Sequence, residues 1–308
     1  SKEATLRMAR YAYFCKDFVP LEDAKLSVMT HAFLYGTACF EGIRGYWSEE
    51  DNQLLVFRME EHYNRLLHSC RILRIEPGYT VDELCQITLE VLRRNQDRED
   101  VYIRPVFYKS TPAIGVRLSG LDDDFLVFSV PFGDYLDMDR GLRARVSSWR
   151  HLDDNMIPMR AKINGAYVNA ALAKDEALMD GYDEAIFLTA DGHVSEGSAE
   201  NIFIIRDGKL ITSPVTADIL EGITRSTIIQ CAEEDLGLGV VERLIDRTEL
   251  YVADEAFFVG TGAQICPIVE IDHRTVGDGL IGPISRRIQS YYFDVVKGRV
   301  GKYRKWCA

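Results

Sequence analysis

The sequence predicts an α/β protein of two domains, and three observations carry that reading. At 308 residues the chain exceeds one ordinary hydrophobic core. Its first third alternates strand-like and helix-like patterns. Past an apolar run, Pro131-Phe132-Gly133-Asp134-Tyr135-Leu136-Asp137 has punctuation but no period. The expected division is a small N-terminal domain over 1–130, a linking loop over 131–139 and a larger domain over 140–308. With 47% hydrophobic and 27% charged residues, the chain has the composition of globular protein.

In chain order, Tyr11 to Phe14 and Phe18 to Pro20 read as a hairpin across Cys15-Lys16-Asp17. Ala38 to Trp47 reads as one glycine-rich strand, and glycine within a strand marks a place where another backbone or a ligand comes close. Gln53 to Phe57 is expected to return antiparallel to it. Met59, Tyr63, Leu66, Leu67, Cys70 and Leu73 recur at helical spacing. Thr80-Val81-Asp82-Glu83 is a capping box that opens a second helix, ending near Asn95. Val101 to Phe107 is a strand with Tyr102 and Arg104 on one face. The unbroken apolar run Phe125 to Val130 predicts a strand buried on both sides.

The second half opens with a helix over Ala166 to Leu178 and a strand over Glu184 to Thr189. Ile202 to Ile205 and Leu210 to Thr212 pair across Asp207-Gly208. Gly222 introduces a helix through Glu234, stopped by Gly237-Leu238-Gly239. Strands Val240 to Ile245 and Ala256 to Val259 flank a short helix, Arg247 to Ala253. There is no internal repeat.

A net charge of -12 argues against nucleic acid or an anionic membrane as partner. No segment approaches the ~20 apolar residues of a membrane span, and Ser1-Lys2-Glu3-Ala4 carries no signal-peptide pattern. The seven cysteines are scattered without a Cys-x-x-Cys, which reads as small buried hydrophobes in a reducing cytoplasm. The six histidines have no ligand spacing, so no metal is expected.

Three stretches stand out for chemistry. Arg160-Ala161-Lys162-Ile163-Asn164-Gly165-Ala166-Tyr167 sets a lysine among small and apolar residues. Ser195-Glu196-Gly197-Ser198-Ala199-Glu200-Asn201 offers two carboxylates, and Glu221-Gly222-Ile223-Thr224-Arg225 opens a helix with glycine and a hydroxyl. Taken singly each is ordinary, because most lysines are surface charges and most Gly-x-Thr sequences are plain helix entries. In this order, and from His31-Ala32-Phe33-Leu34-Tyr35-Gly36 to Gly282-Pro283, they resemble the fold-type IV pyridoxal-phosphate enzymes, more narrowly the branched-chain amino acid aminotransferases.

That resemblance implies two α/β domains with pyridoxal 5'-phosphate in the cleft between them. It implies that Lys162 forms the imine with the cofactor aldehyde and then serves as acid and base at the neighbouring carbon. Lys174, in a charged run, and Lys209, in a hairpin turn, suit that task less well. Glu196 takes the carboxylate role beside the ring nitrogen, with Glu200 as the rival four residues on. Arg65, Gly222, Ile223, Thr224 and Thr261 hold the phosphate, and Tyr167 hydrogen-bonds the phenolic oxygen.

On the substrate side, the turn Thr261-Gly262-Ala263 supplies amides near the substrate carboxylate. Tyr102 and Arg104 form the tyrosine-x-arginine strand, where the arginine serves glutamate's second carboxylate. Phe40, Gly42 and Arg44 match the opposite wall, and Tyr35, Phe132 and Tyr135 complete an aromatic lining. The implied reaction moves the amino group of leucine, isoleucine or valine to 2-oxoglutarate. The implied assembly is a homodimer, often further built into hexamers.

The loop Tyr108 to Arg117 is less glycine-rich than is typical of enterobacterial members, which makes activity toward (R)-configured primary amines an open expectation. A D-amino acid aminotransferase is expected to lack Tyr102-Ile103-Arg104, and an aminodeoxychorismate lyase would eliminate pyruvate instead. A catalytically silent scaffold is disfavoured by retention of the lysine, the glutamate and the phosphate cup together.

Overall fold

Residues 10–134, 136 and 139–308 are described by the computed structural model. The chain divides into two compact units: Ser1–Gly133 with Ile163–Gly165 and Trp306–Ala308, and Asp134–Lys162 with Ala166–Lys305.

In the first unit, the hairpin pairs β1 (Tyr11–Phe14) with β2 (Asp17–Pro20), the turn residues Cys15 and Lys16 taking positive φ. The expected strand from Ala38 to Trp47 is broken in two, β3 (Ala38–Phe40) and β4 (Ile43–Ser48). Both halves pair antiparallel with the later strand β6 (Val101–Lys109). The break has a cause in the partner strand. Glu41 N–H donates to the Pro105 carbonyl at 3.0 Å, but proline has no N–H to return, so the ladder lapses at Glu41-Gly42. β5 (Gln53–Val56) returns along β4 as expected.

Helix α1 is the short His31–Tyr35; α2 is Met59–Ile72 and α3 is Val81–Asn95. The α3 capping box forms in full, Thr80 N–H donating to Glu83 Oε2 and Glu83 N–H to Thr80 Oγ1. β7 (Asp123–Pro131) corrects the expectation of a strand buried on both sides. Phe125, Val127 and Ser129 are buried while Leu126, Phe128 and Val130 are only partly covered, because an antiparallel sheet packs one face on the core. That face meets Tyr63, Leu66, Leu84 and Val91 of α2 and α3 in one apolar cluster. The sheet order is β2-β1-β7-β6-β4-β5, with β3 beside β6.

Ile163–Gly165 belongs to this first unit, although Lys162 just before it does not. Ile163 bridges Cys39, and Gly165 N–H donates to the Gly36 carbonyl at 3.2 Å. Gly36 has φ 69°, and a Cβ there would stand 2.7 Å from Gly165 Cα. Only glycine permits that approach, which together with the Ile163 bridge pins the segment just beyond Lys162.

The second unit is built on a mixed sheet ordered β10-β9-β8-β15-β14-β11-β12-β13, with β16 beside β15. Its strands are β8 (Leu142–Arg150), β9 (Glu184–Leu188), β10 (Val194–Gly197), β11 (Asn201–Arg206), β12 (Lys209–Thr212), β13 (Val240–Glu242), β14 (Glu255–Gly260), β15 (Gln264–Ile271) and β16 (Arg274–Thr275). β13 stops three residues short of the expected Ile245, pairing in parallel with β12 only over Leu210 to Thr212. The expected helix from Arg247 to Ala253 is a 3₁₀ segment, Arg247–Tyr251.

Helices α4 (Tyr167–Met179), α5 (Ile223–Glu234) and α6 (Pro283–Val296) complete the unit. Proline at the first position of α6 suits a helix start, and Glu255 accepts from the Ile284 and Ser285 amides there. Among the described residues no helix is long and apolar enough to cross a membrane, and no cluster of histidine, cysteine or carboxylates could hold a metal.

Candidate active site

Lys162 is half-buried, and its Nζ donates to the Tyr167 phenol oxygen at 2.7 Å. Tyr167 is the first residue of α4, so the helix start fixes the phenol and the pinned 163–165 segment fixes the lysine backbone. Lys174 is instead committed to the buried Glu184 carboxylate, at 2.5 Å, and to the Asp183 carbonyl. Lys209 is an exposed residue of a hairpin.

Glu196 lies on β10, a strand the sequence reading did not give, and is buried at 5% exposure. Asn201 Nδ2 donates to its Oε2 at 2.7 Å, and the Leu220 amide donates to both oxygens at 3.2 Å. His151 Nε2 stands 3.6 Å from Oε1, with its ring stacked on Phe187. The hydroxyl hydrogen of Ser195 is claimed by the Ala217 carbonyl at 2.7 Å. His151 Nδ1 lies 2.8 Å from the Ser195 hydroxyl oxygen, within hydrogen-bond distance. Burial pushes the His151 imidazole down to about 4, so it is neutral near pH 7.

Glu200, the rival carboxylate, behaves differently. Burial first, and then the Glu184 carboxylate, push it up to about 8, outweighing the Lys174 and Lys162 charges and the Ala199 amide. It is mostly protonated at pH 7, which favours Glu196 as the anionic member of the pair.

Helix α5 begins at Gly222, a residue with no side chain to cap the helix, and has no acid in its first turn. A helix start of that kind presents amides and a positive dipole end to an anion. Ile223 and Thr224 at its head are buried. Thr261 and Gly262 are half-buried and Ala263 buried in the turn joining β14 to β15.

In the first unit, Arg65 on α2 grips Glu41 with two parallel hydrogen bonds, Nε to Oε1 at 2.7 Å and Nη2 to Oε2 at 2.8 Å. His62 Nδ1 adds a third contact at 2.8 Å. Burial alone would raise the Glu41 carboxyl, but Arg65 and His62 overcome it and hold it well below the usual carboxylate range. Arg65 is thus held in a fixed plane, not left as a snorkelling surface charge.

The same unit gathers the residues expected to face substrate. Arg104 lies over the Phe40 ring at 4.2 Å, and its Nη2 donates to the Tyr102 phenol at 2.8 Å. Its buried Nε has no hydrogen-bond partner among the described residues. A Cβ on Gly42 would stand 2.1 Å from that same phenol oxygen. Arg44 is fully buried, bonded to the Phe132 and Gly133 carbonyls and stacked on the Phe132 ring, so it braces the lining from behind. Phe132 packs on Tyr102 at 5.1 Å. Tyr35 is partly exposed and its phenol accepts from the Gly115 amide. Tyr135 lies outside the described residues.

The sequence reading missed Glu41, His62 and His151 and gave Asn201 no role. Glu41 could have been found, being the odd member of Phe40-Glu41-Gly42-Ile43-Arg44, a charge between two residues already singled out. Nothing local marked His151. Its importance comes from a β8–β9 pairing between segments far apart in sequence.

A model of amino-transferase class IV matches residues 38–271. The chain is 51% identical over 296 residues to a probable branched-chain-amino-acid aminotransferase of Aquifex aeolicus (strain VF5), covering 96% of this chain and 95% of that one. The crystal structure of the branched-chain aminotransferase from Thermoproteus uzoniensis with norvaline superposes with a TM-score of 0.93 at 45% identity, over 97% and 99% of the two chains. The T.th. branched-chain amino acid aminotransferase complexed with N-(5'-phosphopyridoxyl)-L-glutamate also gives 0.93, at 40% identity over 98% of each.

Proposed function

The chain belongs to amino-transferase class IV, and we propose from that premise that it moves the amino group of leucine, isoleucine or valine reversibly to 2-oxoglutarate. It is a branched-chain-amino-acid transaminase of fold type IV, and its cofactor is pyridoxal 5'-phosphate. The residues present suit that group: a primary amine on Lys162, a buried hydrogen-bonded carboxylate on Glu196, and an α5 start with glycine, a hydroxyl and no acid. The observation that carries the assignment of roles is the Lys162–Tyr167 contact at 2.7 Å within the unit that also buries Glu196.

In this reading Lys162 holds the cofactor covalently, Glu196 lies at the ring nitrogen, and Tyr167 at the phenolic oxygen. Arg65, Gly222, Ile223, Thr224 and Thr261 hold the phosphate. When bound, the cofactor draws electrons from the substrate carbon that bears the amino group. Once the substrate's amino group has displaced it from the cofactor, the Lys162 amine would be free to take the proton from that carbon and return it at the next position. Donors from Asn201 and Leu220 favour the charged form of Glu196, and a carboxylate there would help the ring nitrogen keep its proton.

For substrate, Thr261, Gly262 and Ala263 supply the carboxylate side, and Tyr35, Phe40, Gly42, Arg44, Tyr102, Phe132 and Tyr135 the lining. Arg104 serves the second carboxylate of glutamate. Its buried Nε, unpartnered among the described residues, supports that role, because such a donor is costly to leave without an acceptor. The relative bound to a phosphopyridoxyl-glutamate adduct supports glutamate as donor.

A homodimer, extending to hexamers, is supported by exposed Leu26, Val28, Phe33, Ile114 and Val116 on two segments that His31 ties together. The buried free thiols Cys39, Cys70, Cys85, Cys231 and Cys266 support a reducing cytoplasm. The alternatives within the fold, D-amino acid transamination or pyruvate elimination, are disfavoured by the Tyr102–Arg104 contact. Activity on (R)-primary amines is a proposal that failure to convert any (R)-arylalkylamine with a 2-oxo acid would remove.

The test is a visible absorption spectrum of the cofactor-loaded protein with and without leucine, beside Lys162→Ala. A visible band lost on adding leucine and absent from the variant is the expected result. A band that D-alanine bleaches and leucine leaves alone would overturn the substrate reading.

A further inference from the structure

Three polar groups close a ring inside the second unit. Asn201 Nδ2 donates to Glu196 Oε2 at 2.7 Å and to the Leu220 carbonyl at 3.0 Å, while the Leu220 amide donates back to Glu196 at 3.2 Å. Contact with a carboxylate and a carbonyl fixes which end of the Asn201 amide is nitrogen, since both partners only accept. The amide oxygen must then point the other way, and it points at Gly222. A Cβ built there would meet Asn201 Oδ1 at 2.0 Å, far inside contact distance. Gly222 has φ -67° and ψ 134°, which any residue adopts, so its backbone does not require glycine. What requires glycine is the Asn201 side chain.

We propose that Asn201 is a positioning residue that couples the Glu196 carboxylate to the start of α5, and that Gly222 is glycine to leave its amide room. The inference rests on the roles given above to Glu196 at the ring nitrogen and to α5 at the phosphate. One amide plane spans both: its nitrogen holds the carboxylate, and its oxygen sits against the residue before the first helical amides. Any side chain at 222 drives the amide off Glu196, so disturbing the phosphate end also disturbs the ring-nitrogen end. Leu220, two residues before Gly222, ties the same segment to the same carboxylate.

The coupling predicts a non-additive mutant cycle. Asn201→Ala, Gly222→Ala and the double variant are stripped of cofactor, and binding of pyridoxal 5'-phosphate to each is titrated by absorption. Each single variant is expected to bind about tenfold more weakly or worse, the usual scale for losing a hydrogen bond to a charge. The double variant is expected to match Asn201→Ala within about threefold, because removing the amide makes room for the methyl. A small residual cost is expected from the Arg225 Cβ, 3.2 Å from the same point.

Multiplying effects, or an Asn201→Ala variant that binds like the parent, would overturn the proposal. The ring-nitrogen ¹⁵N shift of enzyme loaded with labelled cofactor gives a readout that mere packing would not move. It is expected to move toward the unprotonated value in both single variants, and no movement would overturn the coupling. Melting of the cofactor-free proteins checks folding, and Asn201→Ser replaces the alanine if that variant does not fold. Glu196→Gln separates the two levels. If it binds cofactor like the parent, the role of Glu196 falls; if it binds weakly while Asn201→Ala does not, only the positioning role falls.

Discussion

The amine of Lys162 donates to the phenol oxygen of Tyr167 at 2.7 Å, across five residues that pass from a pinned turn into α4. Tyr167→Phe keeps the ring but removes the oxygen. If the phenol were only a packed aromatic, that change would leave turnover alone. If, as proposed, Lys162 moves the proton and this contact orients its amine, kcat for leucine is expected to fall about tenfold or more, on the scale of a hydrogen bond to a charged group. Melting temperature is expected to stay within a few degrees of the parent, since Tyr167 is only half-buried. Unchanged kcat would return it to a packing role.

Glu200 lies four residues from Glu196, and burial beside the Glu184 carboxylate raises it. Glu200, raised to about 8, favours its neutral form when folded, whereas unfolded it ionises near 4.5. The unfolded state therefore holds fewer protons between these values, and folding stability falls as pH rises from about 4.5 through about 8. Glu200→Gln cannot ionise, so its melting temperature is expected to decline less than the parent's over this window while cofactor binding persists. A parallel decline in the two proteins would show Glu200 already ionised at neutral pH.

Much of this was legible locally. The α3 cap needs only Thr80 and Glu83, so a one-dimensional reading finds it; it finds the helix start at Gly222 too, but not the Asn201 contact that calls for glycine there. The broken strand was not legible, because the cause of the gap at Glu41-Gly42 is Pro105, on a strand far later in the chain. Nor was the half-covered β7, since an apolar run does not say which face the helices take. Lys162, Tyr167, Glu196 and Arg65 stand out in the sequence as candidates, whereas Glu41 as the partner of Arg65 is met only when the chain returns on itself.

His151 gives the opposite sign to a histidine whose pKa is raised by a partner in the folded state. Unfolded, its imidazole takes a proton near pH 6.5; folded, burial delays that to about 4. Acid thus loads the unfolded state first, and stability is lost as pH falls from about 6.5 to about 4, on the order of 3 kcal/mol when complete. His151→Gln carries no such proton. Its melting temperature is expected to be flatter across that window, and cofactor release on acidification is expected to move to lower pH. If parent and variant lose stability together, other groups carry the acid limb.

Gly42 ties the backbone of one wall to the polar pair on the next strand. Its missing Cβ would stand 2.1 Å from the Tyr102 phenol oxygen, the acceptor for Arg104 Nη2 at 2.8 Å. Gly42→Ala therefore tilts Tyr102 and takes the partner from Arg104, whose Nε already has none among the described residues. Leucine and glutamate should respond unequally, because only glutamate brings a second carboxylate to the arginine. The KM for glutamate is expected to rise about tenfold, matching one hydrogen bond to a charge, with a smaller rise for leucine. Equal rises would mean that the methyl only narrows the space for side chains, and that Arg104 does not read the second carboxylate.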